Sequence, residues 1–183
     1  LFQGVFAQLK LPVDLALDGV ELAGDVILRP QTGQTTNRLH VALAGGGLEA
    51  GREGKFSLAL DGEAAGSGGP VSSLALRATV SATMDTPRTF GGAGVKADAS
   101  ATGPAFPSGV KLTADLTAGH SGAVENYALT LATESKQLLT VQASYPNSAS
   151  RLAGTWKLDV RDADVAPFAL GMALPSFEAS GEG

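Results

Sequence analysis

The stretch Gly119-His-Ser-Gly-Ala123 comes close to the motif that presents a catalytic serine in many hydrolases. That motif, Gly-x-Ser-x-Gly, needs a strand that turns directly into a helix, so that the serine oxygen is exposed. Here alanine replaces the last glycine, and strand-like alternation lies on both sides. The only other histidine, His40, would have to complete a triad from the polar face of another strand. The stretch is typical of a hairpin turn, and we expect no catalytic residue in it.

Three aspartates near the end of the chain, Asp159, Asp162 and Asp164, are of the residue type that binds hard cations. Their spacing lacks the glycine and the distal glutamate of a calcium loop. We interpret them as a solvated, turn-forming run and predict no metal site. The glycines at 45–47 are not a dinucleotide fingerprint, because no βαβ unit surrounds them. With two histidines and no cysteine in the chain, we predict no cofactor and no enzymatic activity.

Composition narrows the class of protein. The formal net charge is −5 and no basic cluster is present, which argues against a nucleic-acid partner. Charged residues make up 17% of the chain, below the typical quarter for a soluble domain. No run of apolar residues is long enough for a membrane-spanning helix. The apolar residues are instead spread along the chain, one at every second position, as in a sheet.

This alternation predicts the fold. Aliphatic and polar residues alternate from Leu9 onward and most cleanly at 110–117, with the period of two that strands require. Short turns join the segments, so the sheet must be an antiparallel meander of roughly ten to twelve strands. Leu9 to Leu17 is predicted as part of the first strands, and Phe90 to Gly103 as a weak strand with small side chains. The fold class is all-β, a long antiparallel meander with one apolar and one polar face.

The apolar face has to be covered, and the residues leave three ways open. The sheet could close into a barrel, pack as a sandwich, or curl lengthwise into a groove that holds lipid chains. Many inward positions are alanine, such as Ala78, Ala97, Ala99 and Ala114. Small side chains leave space where a sandwich core would carry bulky ones, which points toward a groove, whereas periodicity alone favours a filled sandwich or barrel.

The first residues, Leu1-Phe2-Gln3-Gly4, resemble a recognition site for a picornaviral 3C-type protease. We interpret residues 1–4 as a remnant of such a site and exclude them from the fold. Residues 5–183 are predicted to form a single β-sheet domain that is a fragment of a longer repeat protein.

The C-terminal residues carry a more specific pattern. Gly154-Thr-Trp-Lys-Leu-Asp-Val-Arg-Asp-Ala-Asp-Val-Ala-Pro-Phe-Ala169, followed by Leu174-Pro-Ser-Phe-Glu-Ala-Ser-Gly-Glu-Gly183, resembles the repeats of the AsmA-like and TamB proteins of Gram-negative bacteria. The resemblance implies a periplasmic protein anchored in the inner membrane, with a β-sheet curled into a hydrophobic, β-taco-like groove. It further implies phospholipid transport between inner and outer membranes or a part in outer-membrane assembly. The partners would be a phospholipid or other acyl-chain ligand and an outer-membrane assembly partner.

The aliphatic-face residues are the candidate site, and we predict that they line the groove and bind lipid; the alternative is that they pack a closed core. These candidates are Leu39, Val41, Phe56, Leu58, Leu74, Leu76, Val80, Leu112, Leu116, Leu129, Leu131, Val141, Trp156 and Leu158. The alternative function is a passive β-repeat module, structural or adhesive, of a bacterial surface protein.

Overall fold

The computed structural model describes residues 4–6, 8–28, 37–64, 71–104, 106–148, 151–168 and 175–183. The sequence also predicts a turn or loop at 30–36, a flexible connection at 66–70 and a short apolar segment closed by Pro175. The first two, and the residues of the third directly before Pro175, lie outside the described residues. The strands are β1 (Leu17–Leu28), β2 (Asn37–Leu48), β3 (Glu53–Ala64), β4 (Ser73–Thr86), β5 (Thr89–Gly103), β6 (Phe106–Ser121), β7 (Val124–Thr133), β8 (Gln137–Pro146), β9 (Ala153–Arg161) and β10 (Glu178–Glu182). A short helix, α1 (Asp162–Val165), and a 3-10 turn (Ala166–Phe168) follow β9.

The ten strands form one sheet in which each strand pairs with the next along the chain. Every strand pair is antiparallel. Among the described residues no pairing joins β1 to β10, so the sheet is open and is not a barrel. The prediction of an all-β antiparallel meander is confirmed.

The register keeps the two faces of the sheet separate. Residues opposite each other in an antiparallel pair point to the same face. One row can therefore be followed across all ten strands, and every member of it is apolar or glycine. The row consists of Leu22, Leu43, Leu58, Ala78, Ala97, Ala114, Leu131, Leu139, Leu158 and Gly181. The predicted apolar and polar faces are thus present along the whole sheet.

The start of the meander differs from the prediction. The described residues before Leu17, 4–6 and 8–16, form no strand. Instead, the amide of Leu11 donates to the carbonyl of Arg88 (2.9 Å) and the amide of Leu15 donates to that of Pro87 (2.8 Å). The chain there runs along the β4–β5 turn, so its alternation has no neighbouring strand to follow. Conversely, β5 is a full strand of 15 residues, because two neighbours pair with it and small side chains do not prevent pairing.

The sheet is strongly bent at its β2–β3 hairpin. Gly45, Gly46 and Gly47 have positive φ angles of 155°, 154° and 73°. Past this point the hairpin folds over, and the amide of Gly51 donates to the carbonyl of Met84 on β4 (2.8 Å). Cα atoms of β2 and β4 come within 8 Å of each other, whereas strands two apart in a flat sheet are roughly 9.5 Å apart. The sheet is therefore curled.

The molecule has little closed core. Its accessible surface is 11,471 Å², against about 8,200 Å² for a compact protein of the same mass. Among the described residues the buried hydrophobic side chains are Phe6, Leu48, Met84, Ala101, Leu138 and Tyr145. They lie near the two ends of the strands, and the middle of the apolar face is only partly covered.

Candidate functional site

The register brings all of the predicted groove residues onto the apolar face. Each belongs to a row of opposed residues that passes from strand to strand, as Leu39 opposes Gly62 and Gly62 opposes Leu74. None of them is buried: Leu116 is 39% exposed, Trp156 is 46% exposed and the rest are half-buried. The structure therefore does not pack these side chains into a closed core.

The middle of the apolar face carries small side chains on β5, and we call this strip, with the leucines beside it on β4 and β6, the apolar trough. Ala97 of β5 lies between Ala78 of β4 and Ala114 of β6. One row further along, Ala99 lies between Leu76 and Leu112. Small side chains on β5 thus form a low floor, and leucines on β4 and β6 rise beside it. Such a surface offers dispersion contacts and no hydrogen bonds, which suits a hydrocarbon chain.

An N-terminal segment, residues 4–6 and 8–10, covers one end of the apolar face. The carboxylate of Glu125 accepts hydrogen bonds from the amides of Val5 (2.7 Å) and Phe6 (3.2 Å) and from the hydroxyl of Tyr127. Phe6 is 8% exposed and its ring lies 6.2 Å from that of His120. Glu125 itself is only 1% exposed. Burial, and then the hydrogen bond to Glu125, raises the pKa of Tyr127.

Glu125 is a site residue that the sequence reasoning missed, although a signal was present. Tyr127, Leu129 and Leu131 set the inward phase of β7, and position 125 has the same phase. A glutamate at an inward position interrupts the aliphatic pattern, and a buried carboxylate requires donors. Those donors come from a segment about 120 positions away in the sequence, and alternation carries no information on such a contact.

Gly4 belongs to this end of the molecule as well. A side chain at position 4 would overlap the carboxylate of Glu125, at 2.8 Å from Oε2. The carbonyl of Gly4 accepts a hydrogen bond from Nε2 of Gln8 (2.8 Å). The assignment of residues 1–4 to a protease-site remnant stays a prediction, but Gly4 packs against the sheet.

The hydrolase-like stretch forms a hairpin, as predicted. β6 ends at Ser121, Gly122 has a φ of 60°, and β7 begins at Val124. His120 and Ser121 are consecutive strand residues and point to opposite faces. Nε2 of His120 lies 2.5 Å from the carboxylate of Asp85. The geometry of a nucleophile elbow is absent here, because a strand and not a helix follows the serine.

The residues after β9 lie across the opposite end of the sheet, and we call Asp162–Phe168 the C-terminal cap. Nζ of Lys136, in the β7–β8 turn, lies 3.1 Å from Asp159 and 2.9 Å from Asp164. The carboxylate of Asp164 also accepts a hydrogen bond from the backbone amide of Arg161, at 2.8 Å. Cα atoms of the 3-10 turn come within 8 Å of those of β5. The cap thus links the end of β9 to strands in the centre of the sheet.

Two carboxylates of the aspartate run contact a cation that belongs to the protein itself. An ammonium group, that of Lys136, occupies the position between Asp159 and Asp164 where a cation would bind. The hydrogen bond from Lys136 lowers the pKa of Asp164, and the hydrogen bond to Asp164 raises the pKa of Lys136. In the described part of the chain no group of His, Cys, Asp or Glu is arranged to hold a metal ion.

The described helices include none with the length and apolar character needed to cross a bilayer. Compared with known proteins, the chain matches no family model, no curated protein and no solved structure. The fold and the site define its class as an open, curled β-meander with a continuous aliphatic face. That face is covered at one end by the N-terminal segment, and the C-terminal cap lies across the other end.

Proposed function

We propose that the chain is a non-enzymatic module whose apolar trough binds the acyl chains of phospholipid and carries them between membranes. The observation that supports this most directly is the half-exposed state of the predicted groove residues, which lie in unbroken rows across the sheet. A protein of this size without a ligand would gain stability by burying such a face. An aliphatic ligand covers the face without closing the sheet.

The energetics of the trough favour lipid. Each methylene that leaves water contributes about 0.8 kcal/mol, so ten methylenes contribute about 8 kcal/mol. That gain is similar in size to the free-energy cost of drawing an acyl chain out of a bilayer, because the trough and the bilayer interior are both aliphatic. The trough would therefore accept and release lipid with little net change in free energy, as transport requires. Headgroups would remain in water at the open side.

The cellular setting is part of the proposal and comes from the resemblance to AsmA-like and TamB proteins. We place the module in the periplasm, within a longer protein anchored in the inner membrane. Its partners there are phospholipid and an outer-membrane assembly partner. The residues that carry the resemblance are Arg161–Phe168, which form the end of β9 and the C-terminal cap.

Bound lipid is the direct test. The protein is purified without detergent, and its lipid content is measured by organic extraction and by native mass spectrometry. Leu76→Asp and Leu112→Asp place a charge beside the alanine floor, and Thr79→Asp and Thr113→Asp are the matched controls on the polar face. Because desolvating a carboxylate costs well over 1.4 kcal/mol, we expect the leucine variants to lose lipid roughly tenfold or more.

Folding is measured in the same samples by far-ultraviolet circular dichroism. If all four variants remain β-sheet proteins and only the two leucine variants lose lipid and transfer between vesicles, the proposal holds. If the parent protein carries no lipid and transfers none, the passive structural or adhesive module becomes the better description. Unfolding of both leucine variants would mean that these side chains form a closed core in solution.

A further inference from the structure

The two edges of the sheet differ in how they are protected. β10, at one edge, is five residues long and carries Glu178 and Glu182. Short, charged edge strands resist pairing with other chains. β1, at the other edge, is 12 residues long and contains neither lysine nor proline. No strand in the described part of the chain pairs with its outer side, so its outward backbone groups form an open template.

Side chains of β1 are exposed at this outer edge. Leu22 is 58% exposed, Val26 is 47% exposed and Ile27 is 56% exposed. Leu22 and Val26 belong to the apolar face, where they oppose Leu43 and Leu39 of β2. Those two β2 residues have strands on both sides and are half-buried. One more strand beside β1 would cover Leu22 and Val26 in the same way.

On the polar face, ion pairs connect neighbouring strands, but Glu21 at the β1 edge takes part in none among the described residues. Neighbouring strands of this sheet are repeatedly joined by one acidic and one basic side chain. These pairs are Asp25–His40 at 2.9 Å, Asp61–Arg77 at 2.6 Å, Lys96–Asp115 at 3.5 Å and Glu178–Arg161 at 3.0 Å. Glu21 of β1 opposes Ala44 of β2, and no ion pair within the described residues includes it. Its carboxylate is available to a strand on the outer side.

We propose that the outer edge of β1 binds an extended strand of a partner polypeptide, with aliphatic side chains beside Leu22 and Val26 and a lysine or arginine beside Glu21. The strand would join the sheet by backbone hydrogen bonds, the mode known as β-augmentation. Its basic residue would continue the pattern of acid–base pairs between neighbouring strands. This inference concerns the sheet edge and holds whether or not the trough carries lipid.

A second copy of the chain fits this edge less well. Two β1 strands that pair antiparallel, with their apolar faces aligned, place Glu21 of one copy opposite or diagonal to Glu21 or Asp25 of the other. Such neighbours in a sheet are about 5 to 8 Å apart, and like charges at that distance are destabilising. A basic partner strand has no such repulsion.

The test uses two synthetic peptides, each acetylated, amidated and nine residues long. Valine alternates with threonine in both, and the central polar residue is lysine in one and glutamate in the other. Amide hydrogen exchange of the full chain, followed by mass spectrometry, reports protection of β1. We expect the lysine peptide to slow exchange in residues 17–28 at least tenfold and the glutamate peptide to have no such effect. Glu21→Lys should reverse this preference, and the matched variant Glu182→Lys, at the other edge, should leave it unchanged.

Other outcomes overturn the proposal. Equal protection by both peptides would show that the apolar face, and not the charge at the edge, selects the strand. Protection confined to β10 would place the acceptor at the other edge, and no protection at millimolar peptide would mean that the β1 edge accepts no strand. Sedimentation that shows a dimer of the chain alone, with β1 protected, would identify a second copy as the occupant.

Discussion

Replacement of Gly45 by alanine tests whether the bend in β2 is required for the curled sheet. Gly45 has a φ of 155°, and an added Cβ would lie 2.5 Å from Cα of Phe56 and would overlap the carbonyl oxygen of Lys55. Both obstacles are backbone atoms of β3, the neighbouring strand. The clash therefore cannot be relieved by rotating a side chain, and β2 would have to separate from β3 at this point.

The expected loss of stability follows from these contacts. A residue other than glycine in a sparsely populated backbone region costs of order 1–3 kcal/mol. Forcing additional volume into packed structure typically costs another 1–3 kcal/mol. The sum, about 2–6 kcal/mol, is a large part of the 5–15 kcal/mol that stabilises a typical domain. At about 2–4 °C per kcal/mol for a chain of this size, the midpoint of thermal unfolding should fall by at least about 4 °C.

Gly24→Ala is the matched control. Gly24 lies on β1 opposite Val41, and an added Cβ there would meet no atom within 4 Å. Alanine also lowers the conformational entropy of the unfolded chain, so this variant should be neutral or slightly more stable. Urea and thermal unfolding, followed by circular dichroism, would compare the two variants. If Gly45→Ala is no less stable than Gly24→Ala, the bend does not depend on glycine and the reasoning is refuted.

Further predictions concern the two covered ends. Lys136→Met should detach the C-terminal cap, so that the amide signals of the cap disappear from their folded positions in NMR spectra. Lys157→Met, on the exposed part of β9, should leave those signals in place. Because the pKa of Asp164 is lowered, its contribution to the stability of the folded protein is present above the ordinary value of 3.8 and is lost as pH falls through the lower folded value. Because the pKa of Lys136 is raised, its contribution to that stability is lost only above the ordinary value of 10.5. A pH titration of the cap signals should therefore show no transition between those limits, and one near neutrality would contradict the assignment. Glu125→Ala removes the acceptor of two backbone amides, and each donor left without an acceptor costs about 1–3 kcal/mol. The variant should therefore release the N-terminal segment, and amide exchange there should become at least tenfold faster. Glu125→Gln, which keeps an acceptor oxygen, should release the segment less.

Alternation was sufficient to predict the sheet because side chains of a strand point to opposite faces at every step. It identified the apolar rows even at β5, where Ala97 and Ala99 are small. It failed from Leu9 to Leu15, where the same alternation occurs without a strand. The difference lies in the partner: residues 11 and 15 hydrogen-bond to the β4–β5 turn, and no local pattern reveals which backbone groups a segment will meet.

The ends of the groove could not be predicted for a related reason. Phe6, Met84 and Tyr145 are each buried at 8% exposure or less, yet in the sequence they resemble the half-exposed residues of the trough. Burial at these positions depends on segments that fold over from elsewhere, such as the β2–β3 hairpin. Local sequence determines the face on which a side chain lies, and tertiary contacts determine whether that face is covered.

The C-terminal pattern that carries the family resemblance has a structural explanation in this fold. Arg161 pairs with Glu178 of β10 (3.0 Å), and its amide is capped by Asp164. Asp164 also binds Lys136, which lies two strands away in chain order. The Arg-Asp-x-Asp spacing thus ends a strand, starts a helical turn and anchors that turn to the sheet. Because the spacing serves the cap, it predicts the geometry of one groove end more directly than it predicts what the groove binds. Evidence for the ligand has to come from the trough itself, and the paired variants at Leu76 and Thr79 are designed to provide it.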